Sequence, residues 1–137
     1  MEFTLMDDKA SPLAIIRYLP TKVSKPRLME VTLPAQQSLT DHYDSTPEVH
    51  ESDVHLVNQI PVWNESFNSY CLDFGGRVEL PSPWNFILES SGNVMAMLFG
   101  STRRPNICAL DFSYPLSPLQ AFAIALSATE TCQSRPV

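Results

Sequence analysis

SPLQAFAIALSA, residues Ser117–Ala128, contains the strongest structural signal in this chain. Ser117 fits a helix N-cap, Pro118 the first helical position, and Gln120 the position three residues after the cap. This combination is a capping box with the proline that helix starts favour, because the cap satisfies backbone N–H groups that have no intrahelical partner. We therefore predict a helix over 117–129.

The predicted helix is apolar on every side. No polar residue interrupts Ala121–Leu126, whereas a surface helix would carry a single apolar stripe. Such a helix has to be surrounded by protein, and in a β-rich chain the economical arrangement is a helix inside a barrel. We expect its alanines to let the barrel wall approach closely, and Phe122, Ile124 and Leu126 to fill the interior.

The remainder of the chain favours strands. Twelve prolines against four glycines exclude long helices from most of it, because proline lacks a backbone N–H. Short segments with strand-like composition, some bounded by turn signals such as Gly75-Gly76 and Ser90–Asn93, are predicted strands. They are Leu13–Tyr18, Leu28–Leu33, Val54–Val57, Ser69–Phe74, Arg77–Leu80, Asn85–Glu89, Val94–Phe99 and Ile107–Phe112. The predicted fold class is mainly β, a partial antiparallel β-barrel around a buried hydrophobic C-terminal α-helix.

Length and composition predict one globular domain over 1–137. Apolar residues make up 44% of the chain, and 15 acidic against nine basic residues give a net charge of −6, which argues against nucleic-acid binding. The three scattered cysteines favour reduced thiols over a disulfide framework. The longest apolar runs have six residues and the N-terminus lacks a signal sequence, so we expect a soluble, cytoplasmic protein.

Charge is distributed unevenly along the sequence. Residues 36–52 are acidic and polar, which predicts a long exposed loop. Arg17, Lys22, Lys25 and Arg27 follow one another with no acid among them. These basic residues would contact phosphates, each contributing on the order of 1 kcal/mol near an anionic surface. The alternative interpretation is a solvated loop between two strands, where Lys and Arg keep the sheet edges soluble.

Motifs for catalysis, metal or cofactor binding are weak. His50 and His55 are five residues apart, which is the wrong spacing for the zinc-binding pair of a helix. Cys71 and Cys108 fall in predicted strands, where cysteine is usually a small buried hydrophobe, and there is no nucleophile elbow. The sequence has no glycine-rich phosphate loop and no dinucleotide fingerprint. We therefore predict no catalytic residue, no metal and no cofactor.

Three further side chains are assigned structural roles. Arg77 follows the Gly75-Gly76 turn, and we expect it to pair with a carboxylate. Trp63 and Trp84 are expected to fill the core or to cover the end of the barrel rather than bind a ligand.

Several blocks of sequence resemble one known family in their order and spacing. They are Pro61–Glu65 (PVWNE), Ser69–Val78 (SYCLDFGGRV), Asn85-Phe86, Leu98–Gly100 (LFG) and Leu110–Leu126 (LDFSYPLSPLQAFAIAL). Together they resemble the carboxy-terminal part of a tubby-like domain, with weaker similarity over Leu13–Tyr18 and Pro26–Pro34. The resemblance touches nearly the whole of 1–137, which is therefore expected to be a partial tubby C-terminal domain.

The resemblance implies a closed β-barrel with a hydrophobic helix through its centre. It also implies a non-enzymatic, membrane-tethered adaptor that binds phosphoinositides, chiefly phosphatidylinositol 4,5-bisphosphate, at the plasma membrane or in ciliary trafficking. The family's principal lipid-binding lysine and arginine have no counterpart here, and a third basic position corresponds to Lys9. The candidate lipid-binding residues are thus Lys9, Arg17, Lys22, Lys25 and Arg27.

Departures from the family pattern leave two alternatives open. Trp84 replaces the lysine common before the Asn-Phe pair, and the chain ends in ETCQSRPV instead of the usual Cys-Glu. One alternative is a protein-interaction or regulatory module without lipid binding. The other is a truncated isoform or gene fragment that does not fold alone, because a barrel that lacks several strands exposes two sheet edges and uncovers its helix.

Overall fold

A computed structural model describes residues 1–35 and 52–133 of the chain, with side chains as far as 131. The acidic segment predicted as an exposed loop, 36–52, lies outside the described residues except for Ser52.

The described residues form strands and a C-terminal helix. The strands are β1 (Glu2–Met6), β2 (Pro12–Leu19), β3 (Leu28–Leu33), β4 (Val54–Asn58), β5 (Val62–Asn64), β6 (Ser69–Cys71), β7 (Phe86–Ser90), β8 (Val94–Ser101) and β9 (Cys108–Phe112), and the helix is α1 (Pro118–Gln133). Seven strands make an antiparallel sheet in the order β1-β2-β3-β4-β7-β8-β9, and β5 and β6 form a separate hairpin.

Alternation of apolar residues places one face of the sheet in the core. Strand β2 buries Ala14, Ile16 and Tyr18, and the paired β3 buries every second residue from Met29 onward. Ile16 stands opposite Val31 in the register, so both strands direct their apolar side chains to the same side. The predicted strand over Leu28–Leu33 is therefore confirmed to the residue.

The C-terminal helix packs against the buried face of the curled sheet. Ala121, Ile124 and Ala128 are fully buried in the same cluster as the sheet's apolar side chains. The helix contacts β1, β2 and β9, so it lies between the two edge strands of the sheet. The predicted fold class, mainly β with a C-terminal helix against a barrel-like sheet, is confirmed.

The predicted capping box is present. The Gln120 amide N–H donates to Ser117 Oγ at 3.2 Å, and the Ser117 amide N–H donates to Gln120 Oε1 at 2.9 Å. The helix continues to Gln133, four residues beyond the predicted end at 129, because no proline or glycine interrupts it there.

Burial of the helix is one-sided, and this corrects one prediction. Leu119, Phe122 and Leu126 are 55%, 55% and 50% exposed, so Phe122 and Leu126 do not fill the interior of a barrel. The reason is that the sheet curls around one face of α1 and leaves the opposite face uncovered. Within the described residues, β1 and β9 each pair with one neighbouring strand. In this part of the chain the sheet therefore leaves two edges open and one side of α1 uncovered.

Other predictions need correction at the level of single elements. Arg77–Leu80 is not a strand, because the amides of Glu79 and Leu80 both donate to the Ser101 carbonyl and the segment crosses the end of β8. The strand predicted over Ser69–Phe74 ends at Cys71, and sequence reasoning missed β1 and β5. Cys108 is exposed rather than buried, because it begins β9 and the next residue, Ala109, is the one that faces the core.

Candidate functional site

The five basic residues predicted to bind lipid do not come together at one place. Lys9 lies in the turn between β1 and β2, whereas the other four lie at the opposite end of β2 or in the loop that follows it. At about 3.3 Å per residue, the length of strand between Pro12 and Arg17 separates the two groups by roughly 17 Å.

Lys9 belongs to a turn organised by an acidic side chain. Asp7 Oδ1 accepts hydrogen bonds from the Lys9 and Ser11 amides at 2.9 and 2.8 Å. Ala10 between them has a positive φ of 61°. Because Asp7 and Asp8 immediately precede it, Lys9 sits in a locally acidic turn.

Arg17 is flanked by carboxylates on the outer face of the sheet. The register places it directly opposite Glu2 on β1 and Glu30 on β3. The Arg17 guanidinium forms an ion pair with Glu2, with 3.2 Å between Nη2 and Oε2. Its positive charge is therefore balanced within the sheet.

Arg27 is engaged by the C-terminal half of α1. Its Nη1 donates to the carbonyl of Ala128 at 3.2 Å and to Thr131 Oγ1. The guanidinium also lies over the ring of Tyr18, 5.4 Å from the centroid. A cation near the C-terminal end of a helix is favourable, because unpaired carbonyls give that end a partial negative charge. Arg27 thus links the loop before β3 to the helix.

Asn58 fixes the end of the same loop from the other side. Its Oδ1 accepts from the Met29 amide at 2.7 Å, and its Nδ2 donates to the Arg27 carbonyl at 2.9 Å. The loop over residues 20–27 is therefore anchored at its C-terminal end by side chains from β4 and α1.

Lys22 and Lys25 are the two basic residues of the group that project from this anchored loop. The Lys25 amide donates to the Lys22 carbonyl at 2.9 Å, so both lysines belong to one turn. Among the described residues, no carboxylate forms an ion pair with either. Lys25 Nζ lies 3.5 Å from the hydroxyl of Tyr70. The turn therefore presents two ammonium groups beside a phenol.

Tyr70 is held in place by the β5–β6 hairpin. It stands opposite Trp63 in the register, and the two rings meet edge to face with centroids 5.2 Å apart. Asn64 Oδ1 accepts from the Phe67 amide at 3.2 Å and shapes the hairpin turn. Sequence reasoning did not predict the Lys25–Tyr70 contact, because 45 residues separate the two and no motif joins them.

A groove of about 680 Å³ opens next to Lys25 and Tyr70. Its walls are the 20–27 loop, the β5–β6 hairpin and the segment from Leu72 to Asn85, and its floor includes the buried side chains of Tyr18 and Phe86. The hairpin forms a sheet of its own among the described strands and serves as one wall of a cleft.

Arg77 and Trp84 make structural contacts away from the lysine turn. Arg77 donates to both oxygens of Asp111 at 2.7 and 2.8 Å, as expected for a pairing with a carboxylate. This bidentate hydrogen bonding lowers the pKa of Asp111 and raises the pKa of Arg77. Trp84 packs against the core and donates from Nε1 to Ser101 Oγ at 3.0 Å, whereas Trp63 is about half exposed and lies outside the core cluster.

Residues 1–35 and 52–133 contain neither a metal-ligating cluster nor a helix able to span a membrane. His50 lies outside these residues, and His55 Nδ1 is 3.3 Å from Thr32 Oγ1 on the outer face of the sheet. No group of three His, Cys, Asp or Glu side chains in the described part is arranged to hold a metal ion. In the same part of the chain, no helix combines the length and apolarity needed to cross a bilayer.

Comparison with known proteins agrees with the fold. The model of the Tub family matches residues 3–131. The chain is 43% identical over 95 residues to Protein king tubby 1 of Aedes aegypti, which covers 68% of this chain and 22% of that relative. It is 44% identical over 94 residues to Protein king tubby of Anopheles gambiae, covering 67% of this chain and 20% of the relative. Identity to Protein king tubby of Drosophila sechellia is 46% over 76 residues, or 54% and 17% of the two chains.

These matches extend over most of this chain, which spans about a fifth of the length of the curated relatives. The resemblance seen in the sequence blocks is confirmed, because the family model covers the strands, the hairpin and the helix described above. The chain belongs to the Tub family.

Proposed function

We propose that this chain is a non-enzymatic adaptor module that binds phosphoinositide headgroups, chiefly phosphatidylinositol 4,5-bisphosphate, at a membrane surface. The observation that carries the proposal is the turn that presents Lys22 and Lys25 beside the hydroxyl of Tyr70, with no carboxylate from residues 1–35 or 52–133 ion-paired to either lysine. The expected location is the cytoplasmic face of the plasma membrane or of a cilium, as the family resemblance implies.

The chemistry of the turn suits phosphate. Each ammonium group is a compact charge with three N–H donors, and the Tyr70 hydroxyl adds a further donor. The net charge of −6 opposes general adhesion to acidic lipid, so binding has to be local and directed to the headgroup. Because the lysines are exposed, salt would weaken the interaction.

Val23 adds support for a membrane surface. It lies between the two lysines and is 99% exposed, at the tip of the 20–27 loop. An apolar side chain flanked by cations fits the boundary between headgroups and acyl chains, where basic and apolar groups are stabilised together.

The other basic candidates contribute less to this proposal. Arg27 holds the loop against α1, Arg17 is balanced by Glu2, and Lys9 lies at the other end of β2. The two loop lysines are therefore the residues to test first.

Vesicle flotation tests the proposal. The chain is mixed with vesicles that contain phosphatidylinositol 4,5-bisphosphate, or with vesicles brought to the same surface charge by phosphatidylserine. We expect flotation with the first only, and a loss of about tenfold or more in Lys22→Gln/Lys25→Gln, given on the order of 1 kcal/mol per lysine. The matched control is Arg103→Gln/Arg104→Gln, which removes two charges from the β8–β9 turn outside the groove. Equal flotation with both vesicles, or an unchanged double-lysine variant, would contradict the proposal.

A second candidate function, protein interaction, is favoured by the uncovered side of the molecule. The exposed face of α1 lies between two strands, β1 and β9, whose outer backbone groups have no neighbouring strand in the described part. We infer that a second copy of the chain covers this surface. Two copies related by a twofold axis would bring together their exposed helix faces and their open strand edges. Sedimentation velocity tests this: a dimer that becomes monomeric in Phe122→Asp/Leu126→Asp supports it, and a monomer at all concentrations contradicts it.

A further inference from the structure

The proposed binding of a headgroup at Lys25 does not use the groove that opens beside Lys25 and Tyr70. Its volume of about 680 Å³ lies in the range of small-molecule sites, which are lined mainly by apolar side chains with a few placed polar groups. The apolar lining includes Met29 and Phe86 from the core and Phe67, Leu72 and Phe74 from the hairpin and the segment after it.

Most polar groups in the lining are already engaged. Asn58 is bonded to the backbone around Arg27, and Asn85 donates to the Leu80 carbonyl at 2.8 Å and accepts from the Ser101 amide at 3.0 Å. Glu79 Oε2 accepts from the Arg103 amide at 2.7 Å. Lys25 and Tyr70, at the mouth, are then the donors best placed for a ligand. The lining as a whole combines these polar groups with a majority of apolar surface.

The walls of the groove disfavour a peptide as its occupant. Four of the lining residues are prolines, which have no backbone N–H: Pro26, Pro61, Pro81 and Pro83. The amides of Glu79 and Leu80 are also used, because both donate to the Ser101 carbonyl. An extended peptide would therefore find few partners for its carbonyls, whereas an acyl chain needs none.

We propose that the groove receives the glycerol and the first part of an acyl chain of a phospholipid, while the headgroup phosphates contact Lys25 and Tyr70. This inference rests on the proposed function and specifies its ligand class: the whole amphiphile is bound, not the inositol phosphate alone. The ammonium group of Lys25 complements the negative charge of the phosphates. The groove between the hairpin and the 20–27 loop accepts the apolar portion of the lipid.

Isothermal titration calorimetry on the full chain compares two soluble probes. One is inositol 1,4,5-trisphosphate, which carries the headgroup phosphates alone, and the other is dioctanoyl phosphatidylinositol 4,5-bisphosphate below its micelle concentration. We expect the lipid to bind about tenfold more tightly, which corresponds to roughly two buried methylene groups.

A variant of the groove lining distinguishes acyl-chain binding in the groove from headgroup binding at Lys25 and Tyr70. Phe67 is 73% exposed, so Phe67→Ser removes apolar surface from the groove without opening the core. We expect this variant to bind the lipid as weakly as it binds the trisphosphate, whose own affinity stays unchanged. Val94→Ser is the control, since Val94 is an apolar residue at the start of β8 that is 62% exposed and does not line the groove.

Cysteine alkylation followed by peptide mass spectrometry gives a second readout. Cys71 is half-buried in the groove lining, whereas Cys108 is exposed on β9 outside it. The dioctanoyl lipid is expected to slow alkylation of Cys71 and to leave Cys108 unaffected. The trisphosphate is expected to slow neither.

The outcomes distinguish this inference from the proposed function. Equal affinities for lipid and trisphosphate would overturn the groove assignment and leave headgroup binding in place. Absence of binding to both probes would overturn both proposals. Binding of an acidic apolar peptide that the lipid does not displace would also overturn the assignment, because the groove would then be a peptide site.

Discussion

The hydroxyl of Tyr18 on β2 lies 2.9 Å from the hydroxyl of Ser127 on α1, and both side chains are buried. Ser127 Oγ donates to the Ile124 carbonyl at 2.7 Å, so Tyr18 is the donor in the shared hydrogen bond. A second bond joins the same two elements, from Gln120 Nε2 to the Leu13 carbonyl at 2.8 Å. The helix is thus fixed on the sheet by directional polar contacts as well as by apolar packing.

Removing one of these hydroxyls should destabilise the fold. Tyr18→Phe and Ser127→Ala are each expected to lower the free energy of unfolding by about 1 kcal/mol, the usual net contribution of an intramolecular hydrogen bond. Urea unfolding followed by tryptophan fluorescence measures this. The double variant should cost less than the sum of the single ones, and strict additivity would mean that the bond contributes nothing.

The two faces of α1 should respond differently to alanine. Ile124 is fully buried, so Ile124→Ala is expected to cost about 2–5 kcal/mol through lost burial and the cavity left behind. Leu126 is half exposed, and Leu126→Ala should change the stability of the monomer by less than about 0.5 kcal/mol. Thermal and urea unfolding of both variants at low protein concentration check this, and equal losses would show that the outer face is covered in solution.

Gly100 is expected to tolerate no side chain. A Cβ at this position would lie 2.5 Å from Val78 Cγ1 and 2.7 Å from Asn85 Oδ1. Gly100→Ala should therefore destabilise the protein by about 1–3 kcal/mol, as overpacking does. Val78→Ala removes the closest atoms, so the double variant should regain part of the loss. A double variant no more stable than Gly100→Ala in urea would contradict this cause.

The Arg77–Asp111 pair predicts a dependence of stability on pH. Its hydrogen bonds lower the pKa of Asp111 in the folded state from the ordinary value of 3.8. The contribution is therefore present above that value and is lost as the pH falls through the lowered pKa. Asp111→Asn should be less stable than the parent chain at neutral pH and equally stable in strong acid. Asp8→Asn, in the exposed β1–β2 turn, controls for net charge in the same urea titrations.

Arg27 should behave as a structural residue, in contrast to its neighbour Lys25. Arg27→Gln removes charged donors to the Ala128 carbonyl and Thr131, and is expected to lower the stability by about 1.5–3 kcal/mol. Arg27→Lys should not restore it, because an ammonium does not reproduce the planar fork. Lys25→Gln should leave the urea midpoint unchanged. A large stability loss in Lys25→Gln would contradict the assignment of the two roles.

Local signals in the sequence predicted those parts of the fold that depend on neighbouring residues. The capping box at Ser117 and Gln120 and the alternation along β3 are satisfied within a few residues, so the pattern alone located them. The segment Arg77–Leu80 has strand-like composition, but its amides are taken by Ser101, which lies more than 20 residues further along. A pattern read within Arg77–Leu80 cannot show that a distant carbonyl takes the hydrogen bonds that a neighbouring strand would otherwise accept.

The candidate site was predicted only in part for the same reason. The basic loop can be recognised in the sequence. Which of its basic side chains are hydrogen-bonded or ion-paired depends on residues that are distant in the sequence. Arg27 is engaged by residues about 100 positions away on α1, and Arg17 is balanced through the register of β1 and β2. Tyr70 joins the site because a short hairpin folds back beside the loop. Charge patterning therefore indicated the basic loop, and the topology distinguishes the engaged Arg17 and Arg27 from the exposed Lys22 and Lys25.

The long span between β2 and α1 also determines when the fold is completed during synthesis. The Tyr18–Ser127 contact joins residues 109 positions apart. The apolar face of β2 therefore stays uncovered by α1 until that length of chain has been translated. At roughly 5–20 residues per second, the wait is about 5 to 20 s. The described strands of the seven-stranded sheet are sequential neighbours except at β4 and β7 and can pair as they leave the ribosome, but the core closes only after α1 has emerged. Nascent chains stopped before α1 should therefore bind chaperones that recognise exposed apolar strands.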